Sequence, residues 1–287
     1  HRISGISDMI SSTPSVQTGT PRKRIQLLIQ GTVQGIGFRP LVFGLAHELC
    51  LGGWIANTAQ GVMVELEGTS PKLREFRQRL LTNLPRTATI QKMTSTPIPP
   101  LGEHDFFIRP SQPGEHPQSM LSPDLATCPA CLQDIHDPRS RRYRYPFTTC
   151  AHCGPRYSIV LNLPYERQST TMVDFSLCPE CRREFHDPSN RRFHAETLAC
   201  PACGPELLLW GNQGKPLASK EEAWQRACTL IAGGDIIAVK GLGGFHLWAN
   251  ALNPKAVQRL RQRKHRPDKP FAVLFPTLQV LRAHWPL

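Results

Sequence analysis

Long apolar runs are missing from this sequence of 287 residues, and no stretch approaches the roughly 20 consecutive apolar residues that a membrane-spanning helix needs. The first twenty residues are rich in serine and threonine and lack the apolar segment of a secretory signal. Membrane and secreted placements are therefore set aside, and the cytoplasm is expected. An excess of acidic residues is also lacking: 34 Lys and Arg face 22 Asp and Glu. Uninterrupted helical stretches are scarce too, because 27 prolines and 21 glycines break the chain into short elements joined by turns, which argues against a helical bundle. The length suits two or three domains, and three is the reading adopted. The chain opens on His1 and stops just after Pro286 in what reads as the middle of an element, so a piece of a longer protein is expected.

A formal charge of +12 invites a nucleic-acid reading. That reading weakens once the cysteines are considered. Eight of the ten cysteines fall as Cys128-x2-Cys131, Cys150-x2-Cys153, Cys178-x2-Cys181 and Cys200-x2-Cys203, the second set repeating the first at an offset of 50 residues. Other residues repeat at the same offset: Cys128-Pro129 with Cys178-Pro179, His136-Asp137-Pro138 with His186-Asp187-Pro188, Arg141-Arg142 with Arg191-Arg192, and Cys153-Gly154-Pro155 with Cys203-Gly204-Pro205. This is an internal duplication. Paired Cys-x2-Cys knuckles some 15 to 20 residues apart suit tetrahedral zinc, since each tight turn presents two thiolates and the intervening loop returns the second pair. Disulfides do not fit a cytosolic chain, and redox Cys-x-x-Cys pairs usually occur singly at a helix start. Two zinc ions held by eight thiolates would lower the net charge of the chain to about +8, and that of the 128–203 module from +2 to about −2. The module's arginines are then poor evidence for nucleic-acid binding, and no nucleic-acid partner is expected. Which cysteine pairs share an ion is left open by spacing alone: each repeat closes on itself, or outer and inner pairs cross. His136 and His186 are expected to support the sites rather than ligate.

From Arg24 to Ile108 the pattern reads strand, helix, strand, strand, helix, strand. Ile25, Leu27 and Ile29 alternate, and Phe38, Val42, Leu45 and Leu49 follow at helical spacing. Val62, Val64 and Leu66 alternate again. Ser70 and Pro71 have the identities of an N-cap and first residue for a helix carrying Leu73, Phe76 and Leu80. A strand near Ile90 and a short one at Phe106–Ile108 complete a ferredoxin-like order. The first strand runs into Gln34, Gly35, Ile36, Gly37, Phe38 and Arg39, a glycine-containing loop that opens a helix. Glycines let the backbone N–H groups turn inward, the helix N-terminus favours an anion, and Arg39 can grip phosphoryl oxygens with a bidentate fork.

The run Val33-Gln34-Gly35-Ile36-Gly37-Phe38-Arg39, followed by Asn57, resembles the acylphosphatase signature, with Ile36 where that family more often has valine. The resemblance implies that Arg39 binds the phosphoryl group and Asn57 orients the attacking water. An acyl phosphate is an activated anhydride, so positioning and charge stabilisation suffice without a covalent nucleophile.

After the cysteine module, Glu221–Ala232 reads as a helix ended by Gly233-Gly234, Ile236–Val239 as a buried strand leading into a Lys240-Gly241-Leu242-Gly243-Gly244-Phe245-His246 loop, and Asn253-Pro254 as the start of a basic helix. Phe271–Phe275 is expected to return as a strand. His246 is read as a structural residue of the loop. Lys264-x-Arg266 with Lys269-Pro270-Phe271 resembles the nucleotide-binding signature of YrdC-like carbamoyl-adenylate-forming domains, which implies nucleotide-binding roles for Lys240, Lys264, Arg266 and Lys269, with ATP as a Mg-dependent co-substrate.

Taken together, the order is similar to that of the HypF carbamoyltransferases of nickel-iron hydrogenase maturation. The expected class is α+β: a ferredoxin-like acylphosphatase domain (residues 23–112) after a disordered segment (1–22), a tandem zinc module (120–208), and an incomplete α/β YrdC-like domain (215–287). The family resemblance implies carbamoyl phosphate hydrolysis, ATP-dependent carbamoyl-AMP formation, and transfer to the C-terminal cysteine of a HypE-type partner; the chain as given is expected to retain only the acylphosphatase step. Two alternatives are a standalone acylphosphatase with a zinc interaction module and a threonylcarbamoyl-adenylate-forming relative acting on tRNA. The first would need no ATP, and the second would not be expected to carry an acylphosphatase domain.

Overall fold

A computed structural model describes residues 21–85, 87–112, 114 and 119–285. Among these, no helix is long and apolar enough to cross a membrane. The chain divides into two compact units, 1–122 with 160–171, and 123–159 with 172–287. The expectation for residues 1–22 falls largely outside the described residues; Arg22 itself already belongs to a strand.

In the first unit the elements run β1 (Arg22–Gln34), α1 (Phe38–Glu48), β2 (Gly52–Thr58), β3 (Gly61–Thr69), α2 (Ser70–Thr82), β4 (Thr89–Ile98), β5 (Phe106–Ile108) and β6 (Met120–Leu121). The sheet order is β4-β1-β3-β2-β5, with β6 parallel to the end of β1. The antiparallel register of β1 with β3 places Leu27 opposite Val64 and Ile29 opposite Val62, so the alternating apolar residues share one face. That face packs with Phe38, Val42 and Leu45 of α1 and Leu73, Phe76 and Leu80 of α2 in one buried core. The α2 helix begins one residue earlier than its sequence suggests, with Thr69 as N-cap and no side-chain capping bond, because Thr69 also ends β3 and the strand feeds the helix directly.

The opposite face carries charge. Arg24 lies opposite Glu67 and Gln26 opposite Glu65. The Arg24 guanidinium donates to Glu65 at 2.6 Å, Glu67 at 3.2 Å and Glu103 at 2.8 Å. Glu67 also accepts the N–H groups of Leu101 and Gly102. Every buried charge here is thus paired and hydrogen-bonded, which removal of any one partner would undo.

The second unit contains α3 (Pro129–His136), α4 (Pro179–His186), the hairpin β7 (Leu208–Trp210) and β8 (Pro216–Ser219), α5 (Lys220–Ala232), β9 (Ile237–Lys240), β10 (Phe245–Trp248), α6 (Pro254–Arg263) and α7 (Leu278–His284). Two expectations are corrected. The strand near Ile236 is β9, which among the described residues pairs only with β10 and is partly exposed rather than buried. Phe271–Phe275 forms no strand, because no neighbouring strand among the described residues offers it hydrogen-bond partners. The basic helix starts where its sequence suggests: Asn253 Oδ1 accepts from the Ala256 N–H as the N-cap of α6.

Candidate active site and zinc centres

The β1–α1 junction forms the glycine loop expected to cradle phosphate. Gly35 and Gly37 have φ of 73° and 77°, the left-handed region that glycine enters without a side-chain clash, and Gly37 is the N-cap of α1. The chain therefore curls between β1 and the start of α1, where the helix dipole adds positive potential. Gln34 ties this loop to the β2–β3 turn, donating to the carbonyls of Thr58 and Gly61 at 2.8 Å each. Arg39 and Asn57 are both buried, at 7% and 1% exposure.

A segment that sequence reasoning did not assign to this site completes it. Residues 160–171 lie between the two cysteine repeats in sequence, yet they fold with the first unit. Val160 bridges Thr170, and the N–H groups of Leu161 and Asn162 donate to the Ser169 carbonyl, closing a loop whose tip carries Tyr165 and Glu166. The Tyr165 N–H donates to Gln34 Oε1 at 2.9 Å, and the Tyr165 carbonyl accepts from Asn57 Nδ2 at 2.9 Å. Glu166 Oε1 accepts from Arg39 Nη1 at 3.2 Å and from the Ser111 N–H and hydroxyl at 2.8 and 2.5 Å. A signal was present in the sequence: Leu163-Pro164-Tyr165-Glu166-Arg167 lies outside the residues that repeat between the two cysteine sets.

Because a carbonyl can only accept, Tyr165 fixes which end of the Asn57 amide faces it. Asn57 Oδ1 is left buried and without a hydrogen-bond partner among the described residues. A buried acceptor of this kind is suited to a water molecule that donates one proton to it.

The eight cysteines form two groups, Cys128, Cys131, Cys150 and Cys153, and Cys178, Cys181, Cys200 and Cys203, each with its sulfurs within 4.8 Å of one another. Each repeat therefore closes on itself. The Sγ–Sγ separations are 3.8 Å for Cys128–Cys150 and Cys150–Cys153, 3.7 Å for Cys178–Cys200 and Cys200–Cys203, and 3.6 Å for Cys181–Cys203. A tetrahedron with Zn–S bonds of about 2.3 Å has edges of about 3.8 Å, so both groups fit zinc. His136 and His186 are in neither group, and Cys50 and Cys228 are exposed and stand apart.

The repeated arginine pairs exchange partners. In the first repeat, Arg141 donates to Cys181 Sγ at 3.0 Å, and Arg142 donates to the Ala199 carbonyl at 2.9 Å and to both Glu184 oxygens at 3.0 and 2.5 Å. In the second, Arg191 donates to Cys131 Sγ at 2.8 Å, and Arg192 donates to the Thr149 carbonyl at 3.1 Å; both also pair with Asp134. A four-thiolate zinc site carries a formal charge of −2, so each repeat supplies the cations that the other requires. Burial alone would push the Glu184 carboxyl up, but hydrogen bonds from Arg142 and Arg141 outweigh it and hold the group down at about 2.

The predicted nucleotide residues are less concentrated. Arg261 Nη1 donates to the carbonyls of Arg266, Pro267 and Lys269, which organises the loop after α6. Arg266 turns back to the Pro270 carbonyl and the Phe271 ring, and Lys264 is the C-cap of α6. Lys240 on β9 lies over the Phe245 ring, and no hydrogen bond or ring contact among the described residues ties it to Lys264, Arg266 or Lys269. His246 is exposed on β10.

Fold and site together define an acylphosphatase-type domain joined in one chain to a duplicated four-cysteine zinc module. Comparison with known proteins agrees. The acylphosphatase family matches residues 25–108, the HypF finger family residues 127–160 and 177–210, and the Sua5/YciO/YrdC family, described as telomere recombination, residues 229–286. The carbamoyltransferase HypF of Synechocystis sp. is 50% identical over 263 residues, covering 92% of this chain and 34% of that protein. An acylphosphatase of Synechococcus sp. (strain CC9311) is 35% identical over 89 residues, 31% of this chain and 98% of that protein. Among solved structures, full-length HypF in a phosphate- and nucleotide-bound form superposes with a TM-score of 0.83 at 36% identity, over 93% of this chain and 34% of that one. The chain belongs to the HypF family and spans about a third of the length of the HypF relatives it matches.

Proposed function

We propose that this chain hydrolyses acyl phosphates, carbamoyl phosphate in particular, as the opening step of HypF-type carbamoyl transfer. The observation that carries this reading is the joint burial of Arg39 and Asn57 beside a left-handed glycine loop at a helix N-terminus. The phosphoryl group would sit on the loop N–H groups of Gln34 to Phe38 and on Arg39. A water held by Asn57 Oδ1 attacks phosphorus, the bond to the carbamoyl oxygen breaks, and carbamate and inorganic phosphate leave. Arg39 and the helix terminus stabilise the charge that spreads over the equatorial oxygens, so no covalent intermediate is needed.

The zinc ions, held by the eight cysteines named above, supply folding free energy rather than chemistry. Two closed four-cysteine groups leave no open coordination position for a substrate.

The YrdC-like portion extends the reading: ATP with Mg, bound with help from Lys240, Lys264, Arg266 and Lys269, would convert carbamate to carbamoyl-AMP, and a HypE-type cysteine would accept the carbamoyl group. Support comes from the family match over residues 229–286 and from the nucleotide in the related structure. Domain limits at 23–112, 120–208 and 215–287 belong to the same proposal, save that residues 120–122 and 160–171 fold with the first unit. The co-occurrence of acylphosphatase, finger and YrdC matches in one chain favours this reading over a standalone acylphosphatase or a tRNA-modifying relative. Release of phosphate from carbamoyl phosphate tests the first step. Arg39→Ala is expected to lower the rate by about a hundredfold or more, the scale for losing one stabilising donor; equal rates for both proteins would refute the assignment.

A further inference from the structure

The contact between Glu166 and Arg39 has no part in the hydrolysis just described. A phosphoryl dianion seated on Arg39 would meet a carboxylate oxygen that lies 3.2 Å from the same guanidinium. Arg39 and Asn57 are almost wholly buried, so little water screens the two anions from each other. Glu166 is held by more than Arg39: both the N–H and the hydroxyl of Ser111 donate to the same oxygen. The carboxylate is thus tethered beside the cradle at high effective concentration, whether or not Arg39 is engaged with it.

We propose that Glu166 is a resident competitor for the phosphoryl group on Arg39, so that it sets the affinity of the site for acyl phosphate and for the inorganic phosphate product. This rests on the acylphosphatase reading above. The loop tip has two effects of different kind. The Tyr165 carbonyl orients the Asn57 amide for water, which serves the chemical step, while Glu166 opposes occupancy by the dianion, which serves release of the product. Removing the Glu166 charge while keeping its shape separates them, because Tyr165 acts through its backbone.

The test is steady-state phosphate release from carbamoyl phosphate by the 287-residue chain and its Glu166→Gln variant, with inhibition by inorganic phosphate measured alongside. KM and the phosphate inhibition constant are both expected to fall about tenfold in Glu166→Gln, equivalent to about 1.4 kcal/mol, with kcat changed by less than about threefold. Ser111→Ala, which removes one tether, is expected to shift both constants in the same direction by a smaller factor. Zinc content and circular dichroism matching the unaltered chain exclude misfolding as the source of a change. Unchanged or raised constants in Glu166→Gln, with Arg39-dependent hydrolysis intact, would overturn the proposal alone. Absence of Arg39-dependent hydrolysis in the unaltered chain would overturn the acylphosphatase reading and the proposal with it.

Discussion

Replacing Arg142 in the first repeat should loosen the zinc site of the second. Arg142 is 2% exposed and makes three hydrogen bonds to the other repeat's Glu184 and Ala199. Its partner Glu184 is held at about 2 instead of 4.5, which corresponds to about 3 kcal/mol of favourable interaction at ~1.4 kcal/mol per tenfold change in proton affinity. That figure agrees with the roughly 3–5 kcal/mol lost when one member of a buried pair is removed. Arg142 carries the larger part, since Arg141, the other cation on Glu184, has a side chain that is one-third exposed. A loss of about 2 kcal/mol is therefore expected for Arg142→Ala. Because metal binding and folding are linked, it appears as a fall of roughly thirtyfold in apparent zinc affinity at the second site. Competition with a chromophoric chelator measures the affinity. Thiol labelling followed by peptide mapping shows which cysteines open: Cys178, Cys181, Cys200 and Cys203 should react first. Preferential opening of Cys128, Cys131, Cys150 and Cys153 in Arg142→Ala, or no change at all, would refute the exchanged-arginine argument. Arg192→Ala should give the mirror result.

Elemental analysis should find about two zinc per chain, and a strong chelator should abolish the fold of residues 128–159 and 172–203 as seen by loss of amide exchange protection, with 160–171 keeping theirs as part of the first unit. Asn57→Ala should lower kcat for phosphate release by about a hundredfold with little change in KM, because the role proposed for Asn57 is to hold the water and not the phosphate. Acid should weaken the first unit through Glu67. Burial pushes this carboxyl up, but the Leu101 N–H, the Arg24 guanidinium and the Gly102 N–H outweigh it, so the folded value lies below 4.5. A carboxyl depressed on folding contributes stability that is full above its unfolded value and is lost as pH falls through the folded one. Urea midpoints should therefore drop below about pH 4, and Glu67→Gln should begin lower at neutral pH and lose less on acidification.

The sequence is most legible where local chemistry and long-range contact agree. Alternation in Ile25, Leu27 and Ile29, and the glycines before Arg39, reflect β1 and the cradle directly, because pleat period and left-handed turns are local properties. The knuckle spacing marked the eight cysteines as ligands, but only the folded chain shows that each repeat closes on itself. What spacing could not reveal are partnerships across many residues. The paired arginines were visible as a repeated feature, but their exchange between repeats depends on tertiary placement. Tyr165 and Glu166 stand 108 and 127 positions from Asn57 and Arg39, and nothing in their immediate neighbours encodes that meeting. The failed strand at Phe271–Phe275 is the complementary case: its composition suits a strand, but a strand exists only with a neighbour to bond.

The path of the chain through residues 160–171 constrains how this protein can be dissected. The polypeptide leaves the first unit after Ser122, returns to it for a dozen residues, and departs again. A cut placed after residue 112, the natural place to stop if domains were beads on a string, would yield a ferredoxin-like fold without the backbone groups that hold Gln34 and Asn57. Any activity measured on such an excised piece would describe a site with one wall removed. The duplicated module is equally hard to lift out, since the stretch joining its halves is committed elsewhere. Sequence order and structural ownership part company here, and deletions are best designed along the second.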